Sequence, residues 1–501
     1  MEYVMGLDLG TSSLKGIVMT KFGEIVETKS VEYPCYNFGN GMSEQKPQTW
    51  ASACEEIIQY FCKTVTDFTT QLYGISISGQ MHSLVLIDQY GQPLRNAILW
   101  NDVRTTKECQ LIMKRMGSRF LDITKNNVLE GFTLPKILWV QAHEPEIWRR
   151  VYKILMPKDY LLAYLTGQYV TDFSDASGTM LIDMNTKNWS TELTREFVIK
   201  EEILPRICKS TECVGEMRKE LKDMFKLKRS VKIFAGGADN ACSAVGAGIF
   251  NSKIGMVSVG TSGVFLQYES ILTDKVVKGN HFFCHIEDNK YYSMGVTLAA
   301  GDSLSWFKSV FSPDKDFDKL LSKLNSSKPG AHGLLFSPYI SGERTPYSDS
   351  KIRGSFIGID KAHTIDDFYQ AVVEGITFSI KDCQELLNKN SKRKIERMVS
   401  VGGAAKNKEW LKIQADIFDS EIMTIKEGQG PGTGACIIAA VGLGWYPTLQ
   451  DCQSTFVDYT ETIYPDKEKV KEYSKIYSIY KEIYPNTHKI THDLINVQKE
   501  I

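Results

Sequence analysis

Apolar positions along this chain gather into short unbroken runs, and between the runs the apolar residues recur with a helical period. The runs 3–9, 73–78, 84–88, 98–100, 231–235, 254–259, 398–401 and 422–425 have the length of buried strands. Stretches 49–63, 365–388, 406–418 and 434–442 instead place their apolar residues on one face of a helix. This interleaving predicts an α/β fold with mainly parallel strands. One pattern occurs twice. Val4-Met5-Gly6-Leu7-Asp8-Leu9-Gly10-Thr11-Ser12-Ser13-Leu14-Lys15 is matched by Ile254-Gly255-Met256-Val257-Ser258-Val259-Gly260-Thr261-Ser262-Gly263-Val264-Phe265, with Gly10 and Gly260 250 positions apart. Each copy reads as a β-hairpin closed by a tight, hydroxyl-lined turn. Two such loops facing each other would clamp a polyphosphate between duplicated halves. From about residue 466 the chain is charged and tyrosine-rich, and Val470, Tyr473, Tyr477 and Tyr480 predict an amphipathic helix docked on the body.

Length and composition narrow the picture. A chain of 501 residues suits two domains of about 100–250 residues each. The expected division is 1–243, 244–485 and a tail at 486–501, because a buried strand meets a glycine-rich turn and a small-residue helix near 231–240. A net charge of −1 argues against nucleic acid or an anionic membrane as partner. No apolar run approaches the roughly 20 residues needed to span a bilayer, and Met1-Glu2-Tyr3-Val4 lacks a signal-peptide pattern. Eleven irregularly spaced cysteines without a Cys-x-x-Cys motif fit a reducing, cytoplasmic setting. The oligomeric state is left open, a homodimer among the options.

The chemistry-bearing residues lie at strand ends. The first hairpin is not a P-loop, since 14–19 continues as a strand rather than a helix. Asp8 is a carboxylate in an apolar strand, and beside a phosphate loop its natural partner is Mg²⁺ or a magnesium-bound water. Lys15 can reach phosphate as a point charge, although a turn-capping Asp and a solvated Lys would read the same way. Asp239, in Gly236-Gly237-Ala238-Asp239-Asn240, follows a strand and can accept the proton of an attacking hydroxyl. Taken alone it would be a helix N-cap. Gly402, Gly403 and Asn407 form a strand-to-helix turn open enough for a nucleoside. Gln80-Met81-His82 and Trp100-Asn101-Asp102 join amide, imidazole, indole and carboxylate groups that suit a polyhydroxylated ligand. His281-x-x-Cys284-His285 and His488-x-x-x-His492 have metal-like spacing but no supporting ligands, and are read as structural. The role of Gly342-Glu343-Arg344-Thr345-Pro346 stays open.

With Glu44-Gln45, Gly131-Phe132-Thr133, Met156-Pro157-Lys158-Asp159-Tyr160, Ser174-Asp175-Ala176-Ser177-Gly178-Thr179 and 338–346, these motifs resemble the FGGY carbohydrate kinases from Gly6 to about Tyr480, most closely the xylulokinase branch. The resemblance implies two duplicated actin-like (ribonuclease-H-like) ATPase domains flanking a deep catalytic cleft. It implies ATP- and Mg²⁺-dependent phosphorylation of a sugar hydroxyl, with Asp239 as general base. Thr11, Ser12, Ser13, Lys15, Gly260 and Thr261 would hold phosphates, and Gly301, Gly402, Gly403 and Asn407 the nucleoside. Gln80, Met81, His82, Trp100, Asp102 and Asn240 would line the sugar. The branch implies D-xylulose, phosphorylated at C5. Ala238 in place of a third glycine, and Ser83 in place of a frequent glycine, are departures from the pattern. Ser83 also occurs in some gluconate kinases, which leaves D-gluconate, a ribulose or another ketose as alternatives.

Overall fold

The computed structural model describes residues 1–39, 41–273, 277–324, 328–389, 394–426 and 430–500. Fourteen strands build two large sheets. The first sheet contains β1 (Tyr3–Leu9), β2 (Ser13–Thr20), β3 (Ile25–Glu32), β4 (Leu72–Gly79), β5 (Cys213–Glu216), β6 (Lys232–Phe234) and β7 (Gly237–Ala238). The second contains β8 (Ile254–Val259), β9 (Gly263–Glu269), β10 (His281–Cys284), β11 (Tyr291–Thr297), β12 (Arg397–Gly402), β13 (Glu421–Ile425) and β14 (Tyr459–Ile463). The helices that matter for the site are α1 (Pro47–Thr64), α2 (Pro157–Thr166), α3 (Phe173–Ser177), α4 (Asp239–Gly246), α5 (Gly301–Phe311), α6 (Ile365–Asn388), α7 (Lys408–Phe418), α8 (Pro431–Gly442), α9 (Lys467–Tyr480) and α10 (Ile483–Glu500).

The duplication is visible in the sheet order. The first sheet runs β5-β6-β4-β1-β2-β3, with β7 also on β4; the second runs β10-β11-β9-β8-β12-β13-β14. In each, a hairpin pairs antiparallel (β1/β2, β8/β9) and its first strand pairs parallel with a later strand (β4, β12), which in turn pairs parallel with the next (β6, β13). A further strand in each half, β3 or β11, adds antiparallel to the hairpin. The expectation of mainly parallel strands is therefore corrected, because both sheets are mixed and antiparallel ladders outnumber parallel ones. The reason is local: a Gly-Thr-Ser turn returns the chain immediately, and a tight turn can join only antiparallel neighbours. The runs 84–88 and 98–100 also leave the main sheets. Val85–Ile87 pairs with Lys153–Leu155, and Ala97–Ile98 with Ser43–Gln45, in small sheets of their own.

Strand and helix bounds otherwise follow the apolar pattern closely. Tyr3–Leu9, Ile254–Val259 and Ile365–Asn388 coincide with the expected spans. Helix α7 starts at Lys408 because the Asn407 side chain caps it. The aromatic stripe of α9 docks as its spacing requires. Tyr473, Tyr477 and Tyr480 are buried against α6, and their hydroxyls bond Glu374, Asp382 and Tyr339 respectively. Helix α4 passes through the expected boundary at 243 and ends at Gly246.

The two halves meet at small residues. Helix α8, from the second half, packs on α4 and on β1 and β4 of the first. A β-carbon on Gly434 would lie 2.0 Å from the Cys242 carbonyl, one on Gly246 2.4 Å from that of Gly430, and one on Gly6 2.1 Å from that of Gly432. Backbone thus touches backbone where the halves join. Among the described residues, no helix is long and apolar enough to cross a membrane.

Candidate active site

Both hairpin turns are built to keep their carbonyls away from an incoming anion. In the first, Gly10 N donates to Ser13 O at 3.0 Å and closes the turn. The Gly10 carbonyl accepts from Tyr33 Oη at 2.6 Å and Gln80 Nε2 at 3.3 Å. The Thr11 carbonyl accepts from Gln45 Nε2, and the Ser12 carbonyl from Tyr33 N at 3.1 Å. All three carbonyl dipoles are held from behind, while the Ser12 tip is exposed. The second turn repeats the device with different partners. Gly301 N donates to Gly260 O at 2.9 Å, and Ala300 N and Asp302 N donate to Thr261 O, so the start of α5 anchors it. Gly260 and Thr261 are exposed at its tip.

A cavity of about 370 Å³ opens beside the second turn, and Gly260, Thr261, Gly301, Gly403 and Asn407 all line it, with Trp410 at its wall. Its size is that of a small-ligand site. Asn407 Oδ1 is committed to the N-terminus of α7, accepting from Trp410 N at 2.9 Å, which leaves the amide nitrogen as its donor. Gly402 faces the neighbouring wide cleft between the halves, which Lys15 lines from the opposite side. Its φ of +84° and a virtual β-carbon 2.5 Å from the Val259 carbonyl require glycine.

The two acidic residues come together through strand register. Asp8 on β1 is paired across to Lys15 on β2 and to Ser78 on β4, and Ser78 is in turn paired to Gly237 on β7, two residues before Asp239. Ser78 Oγ donates to Asp8 Oδ1 at 3.3 Å. Burial raises the Asp8 carboxyl to about 6 against the pull of Ser78 and Lys15. Burial raises Asp239 to about 7, opposed by hydrogen bonds from Asn240 and reinforced by the charge of Asp8. Asp239 is the first residue of α4, with Ala238 at the N-cap position, so the N-cap alternative does not describe it. Asn240 N and Nδ2 donate to its Oδ1 at 2.7 and 2.9 Å, leaving Oδ2 to a ligand. Two undercompensated carboxylates flanked by a hydroxyl suit a hydrated Mg²⁺ that takes its remaining ligands from phosphate. Among the described residues no group of three or more His, Cys, Asp or Glu could hold a metal by itself, in keeping with that shared coordination.

The expected sugar-binding residues divide. Met81 sits next to Asn240, whose Nδ2 lies 3.9 Å from the Met81 sulfur, and His82 follows it in the chain. His82 has a φ of +67°, and its Nδ1 donates to the Gly178 carbonyl at 2.8 Å, which leaves Nε2 as an acceptor. Burial pushes its pKa well down, and the nearby charges of Lys136 and Arg344 add to this, so the ring is neutral. Gln80 does not join them. Its amide bonds Gly10 O, Gln45 Oε1 and Thr11 Oγ1, because it follows the β4 end that lies alongside β1 and so stands behind the first turn. Asp102 does not either: it is fully buried, with both oxygens taken by Arg104 and by Ser43 N. Trp100 Nε1 donates to Thr11 Oγ1 at 2.9 Å, tying the indole to the phosphate turn.

A buried charge cluster, to which the sequence motifs gave no role, supports Asp239. Lys158 Nζ lies 2.6, 3.2 and 3.7 Å from Asp159, Asp172 and Asp175, and donates to the Ala235 carbonyl at 3.3 Å. Asp172 accepts from Ser174 Oγ, which accepts from Ala238 N at 2.9 Å. The turn that delivers Asp239 is thus held at both ends by α2 and α3. In the sequence, Lys158, Asp159, Ser174 and Asp175 stood inside motifs of the family resemblance that carried no assigned role.

The family descriptions "FGGY family of carbohydrate kinases, N-terminal domain" and the corresponding C-terminal domain match residues 3–246 and 255–443. The chain is 50% identical to the xylulose kinase of Lactococcus lactis over the whole of both chains, and 44% identical to that of Bacillus subtilis over 97% of each. Among solved structures, a kinase from Brucella ovis described as a xyloylose kinase superposes with a TM-score of 0.91 at 34% identity, covering 98% of this chain and 100% of its own. A gluconate kinase from Lactobacillus acidophilus reaches the same TM-score at 27% identity, covering 97% and 98%. The duplicated actin-like sheets, the paired turns and these matches agree: the chain belongs to the FGGY family of carbohydrate kinases.

Proposed function

We propose that the protein transfers the γ-phosphoryl group of ATP to the C5 hydroxyl of D-xylulose. The observation that carries this reading is the position of Asp239, two residues past the Gly237 that shares Ser78 with Asp8, within reach of the Asp8 charge and next to Asn240, which contacts Met81. The names of the relatives supply the sugar. Thr11, Ser12, Ser13 and Lys15 on one side, and Gly260 and Thr261 on the other, hold the phosphates, and the 370 Å³ cavity takes the nucleoside. Mg²⁺, when bound, neutralises phosphate charge, and Asp8 would hold it through water. Asp239 Oδ2 accepts the C5 hydroxyl proton as that oxygen forms its bond to the γ-phosphorus and the bond to the bridging oxygen of ADP breaks. A carboxylate at about 7 is well matched to take a proton at neutral pH. His82 Nε2 and Asn240 orient the sugar hydroxyls. Closure of the halves about the α4/α8 contact excludes water, a competing acceptor.

The test is ADP release with MgATP against D-xylulose, D-ribulose, L-ribulose, D-gluconate and glycerol. Strong preference for D-xylulose, with little hydrolysis when sugar is absent, is the expected result. Preference for D-gluconate or a ribulose would overturn the sugar assignment while leaving the family chemistry in place.

A further inference from the structure

Arg344 is a cation at the meeting of the halves whose side chain has no hydrogen-bond or ion-pair partner among the described residues. Among the described residues its guanidinium donates no hydrogen bond and enters no ion pair, although the residue is largely withdrawn from solvent. Desolvation lowers its pKa, with Glu343 and Glu130 opposing. Its surroundings are poor in counter-charge: its charge is felt at His82 and His281, whose rings burial keeps neutral, and at the Lys136 amine. Lys136 is itself fully buried, donating to the His82 and Gly131 carbonyls. Such a guanidinium, with five donors and none of them in a hydrogen bond among the described residues, costs folding energy unless a ligand satisfies it.

The backbone beneath it is rigid, which shows that Arg344 is not itself a brace. Glu343 is buried and accepts from Thr297 Oγ1, Leu298 N, Ser379 Oγ and Arg344 N. Thr345 N donates to Val296 O, and Thr345 Oγ1 both accepts from Val296 N and donates to Gly279 O. The segment is therefore fastened to β11 of the second sheet. The side chain nevertheless reaches the first half. A β-carbon on Gly131 would lie 3.9 Å from Arg344 Nη2 and 2.6 Å from the Trp100 carbonyl. Gly131 thus places the guanidinium close to the Trp100 segment, on the His82 side, where Lys136 bonds both the Gly131 and the His82 carbonyls. Asp8 and Asn240, in contrast, are what act on Asp239, and Arg344 is not among the charges felt there.

We propose that Arg344 reads the end of the sugar remote from the phosphorylated hydroxyl, donating its fork to the adjacent O1 and O2 of a 1-hydroxy-2-ketose. This rests on the ketose assignment above. A five-carbon chain whose C5 hydroxyl meets Asp239 extends past Asn240 and Met81 toward His82, and its carbonyl end arrives at Arg344. The vicinal carbonyl and hydroxyl offer two acceptors side by side, which a planar fork can take together and a lysine ammonium cannot. Because Arg344 moves with the second half and His82 with the first, the carbonyl end of the sugar ties the halves together.

The experiment compares wild type, Arg344→Gln and Arg344→Lys on D-xylulose and on xylitol, which lacks the carbonyl but keeps the hydroxyls. The readouts are kcat/KM for each, the ATP KM, and thermal melting to show that each variant folds. Arg344→Gln should lower kcat/KM for D-xylulose by about 30–1000-fold and for xylitol far less, so the ketose-to-polyol ratio collapses. Arg344→Lys should restore only part of that ratio, and the ATP KM should stay within about twofold. An equal loss on both substrates, or none on either, overturns the proposal. Wild-type activity on D-xylulose reports separately on the sugar assignment. A wild type that prefers a ribulose overturns the xylulose assignment alone, whereas one that takes only D-gluconate or glycerol overturns the ketose role of Arg344 with it.

Discussion

Asp239 gathers conflicting demands in one side chain. It must be buried to exclude water from the reaction, and burial penalises the charged form that takes the proton. The fold leaves that penalty in place, answering it only with the two Asn240 hydrogen bonds on Oδ1. A carboxyl at about 7 in the folded state, against about 4 in the unfolded chain, means that the folded state holds more protons between these values. Stability at this site is therefore greatest below about pH 4 and falls as pH rises toward 7. Asp239→Asn removes the fall. At pH 8 the ligand-free variant should be more stable than wild type by about 2–4 kcal/mol, and the difference should vanish near pH 4, as read by denaturant unfolding at both values. The same variant should lose most turnover while still binding MgATP. Equal loss of nucleotide affinity would contradict the role of a base.

The unit of the site at the next scale is a strand-turn-strand whose carbonyls are fastened from behind. Gln80 and Gln45 matter here as much as the residues at the turn tips, because an unfastened carbonyl would face the phosphates with the wrong end of its dipole. Gly402 does the matching task for β12, where a side chain cannot fit beside Val259. Gly402→Ala must both adopt a φ of +84° and push against a carbonyl 2.5 Å away. It should cost about 1–3 kcal/mol in stability and raise the ATP KM more than the sugar KM, measured by thermal melting and steady-state kinetics. Unchanged melting and an unchanged ATP KM would show that the turn has slack.

For the whole molecule, the decisive contact is α4 against α8. Asp239 begins α4, and α8 lies on β1, which carries Asp8, so the helix pair links the base to both halves. Close backbone approach lets one half turn on the other without unpacking side chains. Gly434→Ala places a methyl group 2.0 Å from the Cys242 carbonyl and must separate the helices. It should lower stability by about 2 kcal/mol or more and lower kcat, and small-angle scattering should show a smaller compaction on adding both substrates. Wild-type compaction with normal turnover would place the pivot elsewhere.

What the sequence determined by itself was whatever is written in neighbouring residues: the apolar runs, the two Gly-Thr-Ser turns, and the carboxylates stranded at strand ends. These depend on local sterics and on period, so 3–9, 254–259 and 365–388 could be read to the residue. The pairing of strands was decided only in three dimensions, which is why mixed sheets replaced mainly parallel ones. The same holds for the direction of side chains near the site. Gln80 and Asp102 had the right chemistry for a sugar and the right place in the chain, but hydrogen bonds to Gly10 and from Thr11, Arg104 and Ser43 claimed them first. Lys158 and Arg344 were legible only as charge without purpose. Their roles depend on partners met, or left unmet, across residues far apart in sequence, and burial makes the presence or absence of such partners decisive.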